Sequence, residues 1–372
     1  MDVPKWMYQR RSRLSRPVLY TAIMALLAIL TLFAWTTLFP VSVSSGSLAD
    51  IDHVVLFMQE NRAFDHYFGT MAGVRGFSDP NVQITNGKPV WYQDVDSALT
   101  NASDYLLPFY LNYLGGSWEE ATQCMIAGDN GWNDNHAALN DGLNNKWALN
   151  NTPWSWGHFT RKELPIHFAL AEGWTVGDMY QESVIASTNP NRVSWISGSI
   201  NAPGSPQSPD EGGITIDNNE IPGCQGPNLN CYPLKWKTTP EIYQSQGVTW
   251  QVYQDIDNFD DNPLAWFQQY QLAPNNSQLA IHGMTFLGLD TFYAQAASGT
   301  LPEISYIVGP AELSEHPPYQ PKDGAWLQRA VAEAVINSPK YKNTVLMISW
   351  DGKIPFADCE HKLIRFRNWW FR

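Results

Sequence analysis

Apolar positions along the chain fall into two patterns, short continuous runs and helical stripes. Ile51–Met58 (IDHVVLFM) is an apolar run of strand length that ends in the polar burst Gln59-Glu60-Asn61-Arg62. Thr344–Trp350 (TVLMISW) is a second continuous run, of the kind that fills a buried strand, and it delivers Asp351 at its end. Leu301–Val308 and Gly247–Tyr253 are further strand candidates. Gly324–Ser338 sets Leu327, Ala330, Val331, Ala334 and Val335 on one helical face and is closed by Pro339, while Ile166–Glu172 and Pro190–Ser199 also read as helices. This alternation predicts an α/β fold, a mainly parallel sheet flanked by helices, with ligand groups at the carboxyl ends of the strands.

Two stretches break the pattern. Gly73–Trp156 and Asn201–Trp236 are rich in Gly, Pro, Asn and Trp with little periodicity, as expected of long functional insertions on the ligand edge of the sheet. The 17 tryptophans, partly gathered there, either wall a cleft or pack the insertions down.

The amino-terminal pattern is different again. Val18–Phe39 is a 22-residue run without charge, about 33 Å long as a helix and so of bilayer thickness. It exceeds the apolar core of a cleavable signal and predicts a transmembrane signal anchor, with residues 1–17 as a basic cytosolic segment and 40–50 as a linker. Cleavage near Val43-Ser44-Ser45 would instead give a secreted protein. Either route leaves the remainder outside the cytosol, where the sequons at Asn101, Asn150 and Asn275 become candidate glycosylation sites.

Charge sharpens this division. The whole chain carries -13, but residues 47–350 hold 13 basic and 32 acidic groups, a net of -19, between two basic ends. Nucleic acid is disfavoured as a partner of so acidic a body. Four cysteines are too few for a disulfide lattice. Cys224 and Cys231 are spaced for a local disulfide, and the pairing of Cys124 and Cys359 stays open.

Three pieces could carry chemistry: Glu60-Asn61 after the first strand, Ser187-Thr188-Asn189-Pro190-Asn191-Arg192, and Asp351 after the last. Glu, Asn and Asp are hard oxygen donors suited to a divalent cation. Thr188 stands just ahead of a helix whose first turn contains Pro190, so its hydroxyl sits among free backbone N–H groups where a phosphate would bind. A metal beside it would lower its pKa and make it a nucleophile for phosphoryl transfer. Each piece alone is an ordinary turn or cap former; their coincidence at element ends gives the reading its weight.

The segments at 51–77 (IDHVVLFMQENRAFDHYFGTMAGVRGF), 164–192 and 299–319, with their Glu-Asn-Arg-x-Phe-Asp-His-Tyr-Phe-Gly and Thr-x-Pro-Asn-Arg motifs, resemble the phosphoesterase family of bacterial phospholipases C and acid phosphatases. The resemblance implies an alkaline-phosphatase-like fold over residues 51–351. It further implies metal ligation by Glu60, Asn61, Thr188 and Asp351, and a phosphothreonine formed on Thr188. Asn191 and Arg192 would contact substrate, and His316 (Glu-His-Pro-Pro) and His136 (Asn-Asp-Asn-His) would contact phosphate or protonate the leaving group. His66, His158 and His167, beside aromatic and apolar neighbours, are taken as structural.

The pattern departs from the family after Asp351. Family members continue Asp-Glu-x-Gly-Gly-x-x-Asp-His, whereas Gly352 stands here where a ligand Glu is expected and Cys359 where a His is expected. Residues 352–372 form an atypical basic and aromatic tail, and the resemblance suggests a member stopped short at its carboxyl end. The expected function is metal-dependent, phospholipase C-type cleavage of a glycerophospholipid phosphodiester. The alternatives are an acid phosphatase acting on soluble monoesters and an inactive member acting as a binding or non-functional product.

Overall fold

The computed structural model of the protein describes residues 46–113, 123, 128, 130–202, 223–224 and 231–352. The expected anchor Val18–Phe39, Cys124, Cys359 and the tail beyond Gly352 lie outside the described residues. Among the described residues no helix is long and apolar enough to cross a membrane.

The main elements in chain order are β1 (His53–Gln59), α1 (Trp132–Leu139), α2 (Pro165–Gly173), α3 (Thr188–Ser197), β2 (Trp250–Tyr253), α4 (Leu289–Ser298), β3 (Ile304–Ile307), α5 (Pro321–Ile336) and β4 (Thr344–Trp350). The four strands form one parallel sheet in the order β2-β3-β1-β4. Each predicted strand and helix is present, Thr344–Trp350 with its predicted bounds and the others with shifted ends. α5 starts three residues before the predicted Gly324, because Pro321 fits the first turn of a helix where no N–H is needed.

Alternation along the strands sends side chains to two cores. Val55, Phe57, Tyr253 and Ile307 pack on one face against Phe292 of α4 and Leu327, Val331 and Val335 of α5. Val252 and Tyr306 pack on the other face with Val193 and Ile196 of α3. A sheet covered on both faces accounts for the continuous apolar reading of β1. β4 departs from its predicted burial. Among the described strands it stands at the sheet edge, so most of its residues are half-buried and Met347 is 40% exposed.

The first insertion is more regular than its composition suggested. It holds short strand pairs (Ile84–Thr85 with Lys88–Pro89, Gln93–Asp94 with Tyr105–Leu106), α1, and Phe109–Tyr110 paired with Gly157–His158. Of its tryptophans, Trp147 and Trp156 are fully buried in a small core of their own, the packing role, whereas Trp154 is exposed. The second insertion lies largely outside the described residues. In it Gly223–Cys224 and Cys231–Tyr232 pair antiparallel, with Cys224 directly across from Cys231, the backbone register that a local disulfide needs. Asn101 and Asn275 are exposed, while the Asn150 side-chain nitrogen donates to the Ala137 carbonyl at 3.0 Å, a bond that a glycan there would displace.

Candidate functional site

The carboxyl ends of all four strands supply polar groups to one place. β1 and β4 run in register to the pair Gln59 and Trp350, so the next residues, Glu60 and Asp351, emerge side by side. The Asp351 N–H donates to the Gln59 carbonyl at 3.1 Å, and the Asn61 N–H donates to Asp351 Oδ1 at 3.2 Å. Asn61 holds a left-handed backbone, φ 47°, which asparagine tolerates better than most residues. The loop after β2 brings in Asp261, and that after β3 carries His316.

α3 closes the site from above the sheet. Ser187 precedes it and Thr188 is its first residue, one position further into the helix than the sequence predicts, with Pro190 still in the first turn. The Thr188 hydroxyl donates to Glu60 Oε2 at 3.0 Å and accepts from Asn61 Nδ2 at 3.4 Å. Asn130, just ahead of α1, donates to Asn61 Oδ1 at 2.9 Å. Glu60, Thr188 and Asp351 are all buried.

Arg192 lies one helical turn on and reaches under this group. Its guanidinium is 2.7 Å from Glu60 Oε1, 3.0 Å from Asp261 Oδ2 and 2.5 Å from Asp351 Oδ2. The structure therefore places Arg192 as the common partner of three carboxylates, where the sequence reading expects a substrate contact; it is 1% exposed. Asn191 is likewise committed to the backbone: its side chain bonds the Val184 N–H and carbonyl and the Ser187 carbonyl, and so pins the loop that presents Thr188.

Glu60, Asp261 and Asp351 offer oxygens that lie within 4.8 Å of one another. Fully ionised, they and Arg192 sum to a formal -2. Burial raises the cost of every one of these charges. Burial pushes Glu60 upward, but Arg192 and hydrogen bonds from the two aspartyl groups overcome it and hold Glu60 at about 2. Asp351 is pushed well above the usual carboxylate range by burial and by Glu60, and Asp261 by burial and by both neighbouring carboxylates, with Arg192 opposing in each case. One guanidinium thus neutralises one carboxylate and leaves two without a counter-charge. Arg192 uses a single oxygen of each acid, and the opposite oxygens of Glu60 and Asp351 face the Thr188 hydroxyl and the Asn61 amide. The donor set is all hard oxygen and the missing charge is two, which fits a divalent cation.

The histidines separate. His316, on the loop after β3, has its ring edge-on to Phe259 at 5.4 Å between centroids. His136 is held by its own helix: its Nδ1 lies 2.8 Å from the Trp132 carbonyl and its ring stacks on Trp132 at 4.0 Å. His66 is buried, and that burial with the Arg62 charge lowers it to about 3, so it is neutral. Its Nδ1 lies 2.6 Å from the Gly157 carbonyl, a structural placement. Gly352 has no room for more. A Cβ there would fall 1.7 Å from Asn61 Oδ1, so the asparagine carboxamide fills the space a side chain at 352 would enter.

Sequence reasoning missed Asp261 and Asn130. Asp261 had a signal, since the acidic burst Asp255-Ile256-Asp257-Asn258-Phe259-Asp260-Asp261 follows a predicted strand just as Glu60-Asn61 does. Asn130 had none; its role follows from the path of the insertion alone.

The chain is similar to known proteins over most of its length. The profile of the Phosphoesterase family matches residues 51–358. The chain is 35% identical over 317 residues to the non-hemolytic phospholipase C of Pseudomonas aeruginosa, covering 84% of this chain and 43% of that protein. It is 33% identical over 344 residues to the hemolytic phospholipase C of the same organism, covering 85% and 44%. Against phospholipase C B of Mycobacterium tuberculosis it is 31% identical over 332 residues, covering 84% and 60%. The chain spans about half the length of these curated relatives.

Proposed function

We infer, since the chain belongs to the phosphoesterase family, that it is a phosphoric ester hydrolase of the phospholipase C type, acting through Thr188. The observation that carries this reading is the Thr188 hydroxyl, seated at a helix start and bonded to a carboxylate of a buried three-acid cluster. Glu60, Asp261, Asp351, Asn61 and the Thr188 oxygen would hold a divalent cation. Bound there, it would polarise a phosphoryl oxygen and lower the pKa of the hydroxyl.

The residues of the chain divide the remaining work. Thr188 Oγ attacks phosphorus while its proton leaves along the hydrogen bond to Glu60 Oε2, and the bond from phosphorus to the glycerol oxygen breaks. His316 gives a proton to the departing alkoxide. The N–H groups at the start of α3 would receive the phosphoryl oxygens. Water then displaces Thr188 from the phosphothreonine and releases the phosphorylated headgroup. Arg192 keeps the three acids converged, and Asn191 keeps the preceding loop in place. Gly352 supplies no carboxylate, and Asp261 provides the third acid in this chain. Attachment to a membrane through residues 18–39, with the hydrolase domain outside the cytosol, remains part of this proposal, as does secretion after cleavage.

Assaying the full chain on a phosphodiester and a phosphomonoester, with and without chelator and with added Mn, Zn, Ca or Mg, tests the reading. Turnover should be metal-dependent, should prefer the diester, and should retain configuration at a chiral phosphorus because two displacements occur. Thr188→Ala should lower it by about 10⁴-fold or more, as loss of a nucleophile does. Unchanged turnover in that variant would remove Thr188 from the mechanism, and a preference for the monoester would make the protein a phosphatase.

A further inference from the structure

A further buried carboxylate, Glu315, stands beside the site, and the mechanism above gives it no task. It is fully buried and holds φ 71°, a left-handed conformation that is costly for a residue with a long side chain. Its carboxylate is wrapped by donors from separate parts of the fold. Oε1 is 2.9 Å from His167 Nε2 of α2 and accepts from Gln328 Nε2 of α5 at 2.7 Å. Oε2 accepts from the Tyr67 hydroxyl and from Trp350 Nε1 at the end of β4, each at 2.8 Å. α5 leaves the space for it only because residue 324 is glycine, where a Cβ would fall 2.0 Å from Glu315 Cγ.

The main chain around Glu315 is tied as tightly, and to the site itself. The Glu60 N–H donates to the Ser314 carbonyl at 2.9 Å. Arg62, two residues further on, donates to the Glu315 carbonyl at 2.7 Å and to the Tyr319 carbonyl at 3.1 Å, clamping both ends of the turn. Inside that turn the His316 N–H donates to Ser314 Oγ at 3.2 Å, and His316 Nδ1 lies 2.6 Å from the Pro317 carbonyl. A carbonyl only accepts, so Nδ1 carries a proton and Nε2 is the nitrogen left for exchange with substrate. Phe259 meets the ring edge-on at 5.4 Å, from the loop that carries Asp261.

We propose that Glu315 is a positioning residue: its carboxylate, anchored by four donors, fixes the left-handed turn that aims His316 at the leaving oxygen. The proposal rests on the reading of His316 as the proton donor. A buried carboxylate with every acceptor position engaged holds its backbone in one geometry, and proton transfer to an alkoxide is sensitive to such geometry.

Leaving-group chemistry separates this role from a merely structural one. A nitrophenolate departs without help, whereas an alkoxide needs the proton, so only the ester of a simple alcohol responds to a misaligned donor. The test compares kcat/KM, which reports the first displacement, for alkyl and nitrophenyl phosphodiesters in the wild type, His316→Ala, Glu315→Gln and Tyr67→Phe. His316→Ala should lose roughly 10²–10⁴-fold on the alkyl ester and little on the nitrophenyl ester. Glu315→Gln should show the same selectivity with an alkyl loss of about 10–100-fold, the size seen when supporting residues of a site are changed. Tyr67→Phe, which removes one donor of the four, should show it at a few-fold level.

Equal losses on both esters in Glu315→Gln, or no loss on either, would overturn the proposal. Should that variant fail to fold, Tyr67→Phe decides by the same criterion. Absence of selectivity in His316→Ala would remove the proton-donor reading and this proposal with it, while leaving the Thr188 result untouched.

Discussion

Two buried carboxylate clusters lie within a few residues of each other, and they are built on opposite principles. Around Glu315 one acid meets four donors, three of them neutral side chains, Tyr67, Trp350 and Gln328. Around Arg192 three acids meet one guanidinium. The first cluster is complete as it stands and serves to hold a turn. The second, fully ionised, is two positive charges short of balance, and it is the one that touches the Thr188 hydroxyl. Burial alone does not mark a functional acid; the balance of donors and charges around it does.

That contrast can be broken or sharpened experimentally. Asp261→Asn should weaken divalent-cation binding by about 10–100-fold or more in calorimetry and reduce turnover in parallel. The same change should not lower Tm in the metal-free protein, because burial and the neighbouring carboxylates already disfavour an ionised Asp261 there. Glu315→Gln should lower Tm, because it confronts a ring of donors with an amide nitrogen. Loss of stability in Asp261→Asn with unchanged cation affinity would erase the difference between the clusters.

Gly352→Ala has a smaller expected effect on turnover, about tenfold by the same comparison with supporting residues. Its Cβ would overlap the Asn61 carboxamide and push it from its bond to Thr188. Full cation affinity and full turnover in that variant would show that the Asn61 side chain is dispensable.

Asp65→Asn should leave turnover unchanged, since Asp65 touches none of the proposed machinery. Burial, with the Asp79 charge adding to it, raises Asp65 to about 8, and Asp65 Oδ1 has no hydrogen-bond partner. In the unfolded chain an aspartate titrates near ~3.9, so between about pH 4 and pH 8 the folded protein binds the extra proton. Its contribution to stability is full below about pH 4 and is lost as pH rises to about 8, at no more than about 1.4 kcal/mol per unit. The variant lacks this slope, so the Tm difference between variant and wild type should grow from pH 4 to pH 8. Parallel Tm profiles would mean that Asp65 is ionised in the fold.

Much of the architecture was legible because strand residues repeat every two positions and helical ones every three or four. β1, β4 and α5 were readable from apolar runs and stripes, and with them the locations of Glu60 and Asp351. The edge exposure of β4 was not, since strand order is not written in any one strand. Thr188 was legible through Pro190 and the motif around it. Arg192 was found, but its task was not, because an arginine reads the same whether it faces a phosphate or three carboxylates.

What the sequence determined by itself is therefore local: which stretches become strands and helices, and which acids and hydroxyls stand at their ends. Family membership belongs here too, because its motifs are contiguous. The tertiary structure decided what those groups mean to one another. Parallel register set Glu60 beside Asp351, the β2 loop added Asp261, and α3 drove Arg192 among them. Electrostatic interaction depends on distance through space and on the water excluded between the charges, and neither quantity exists until the chain has folded.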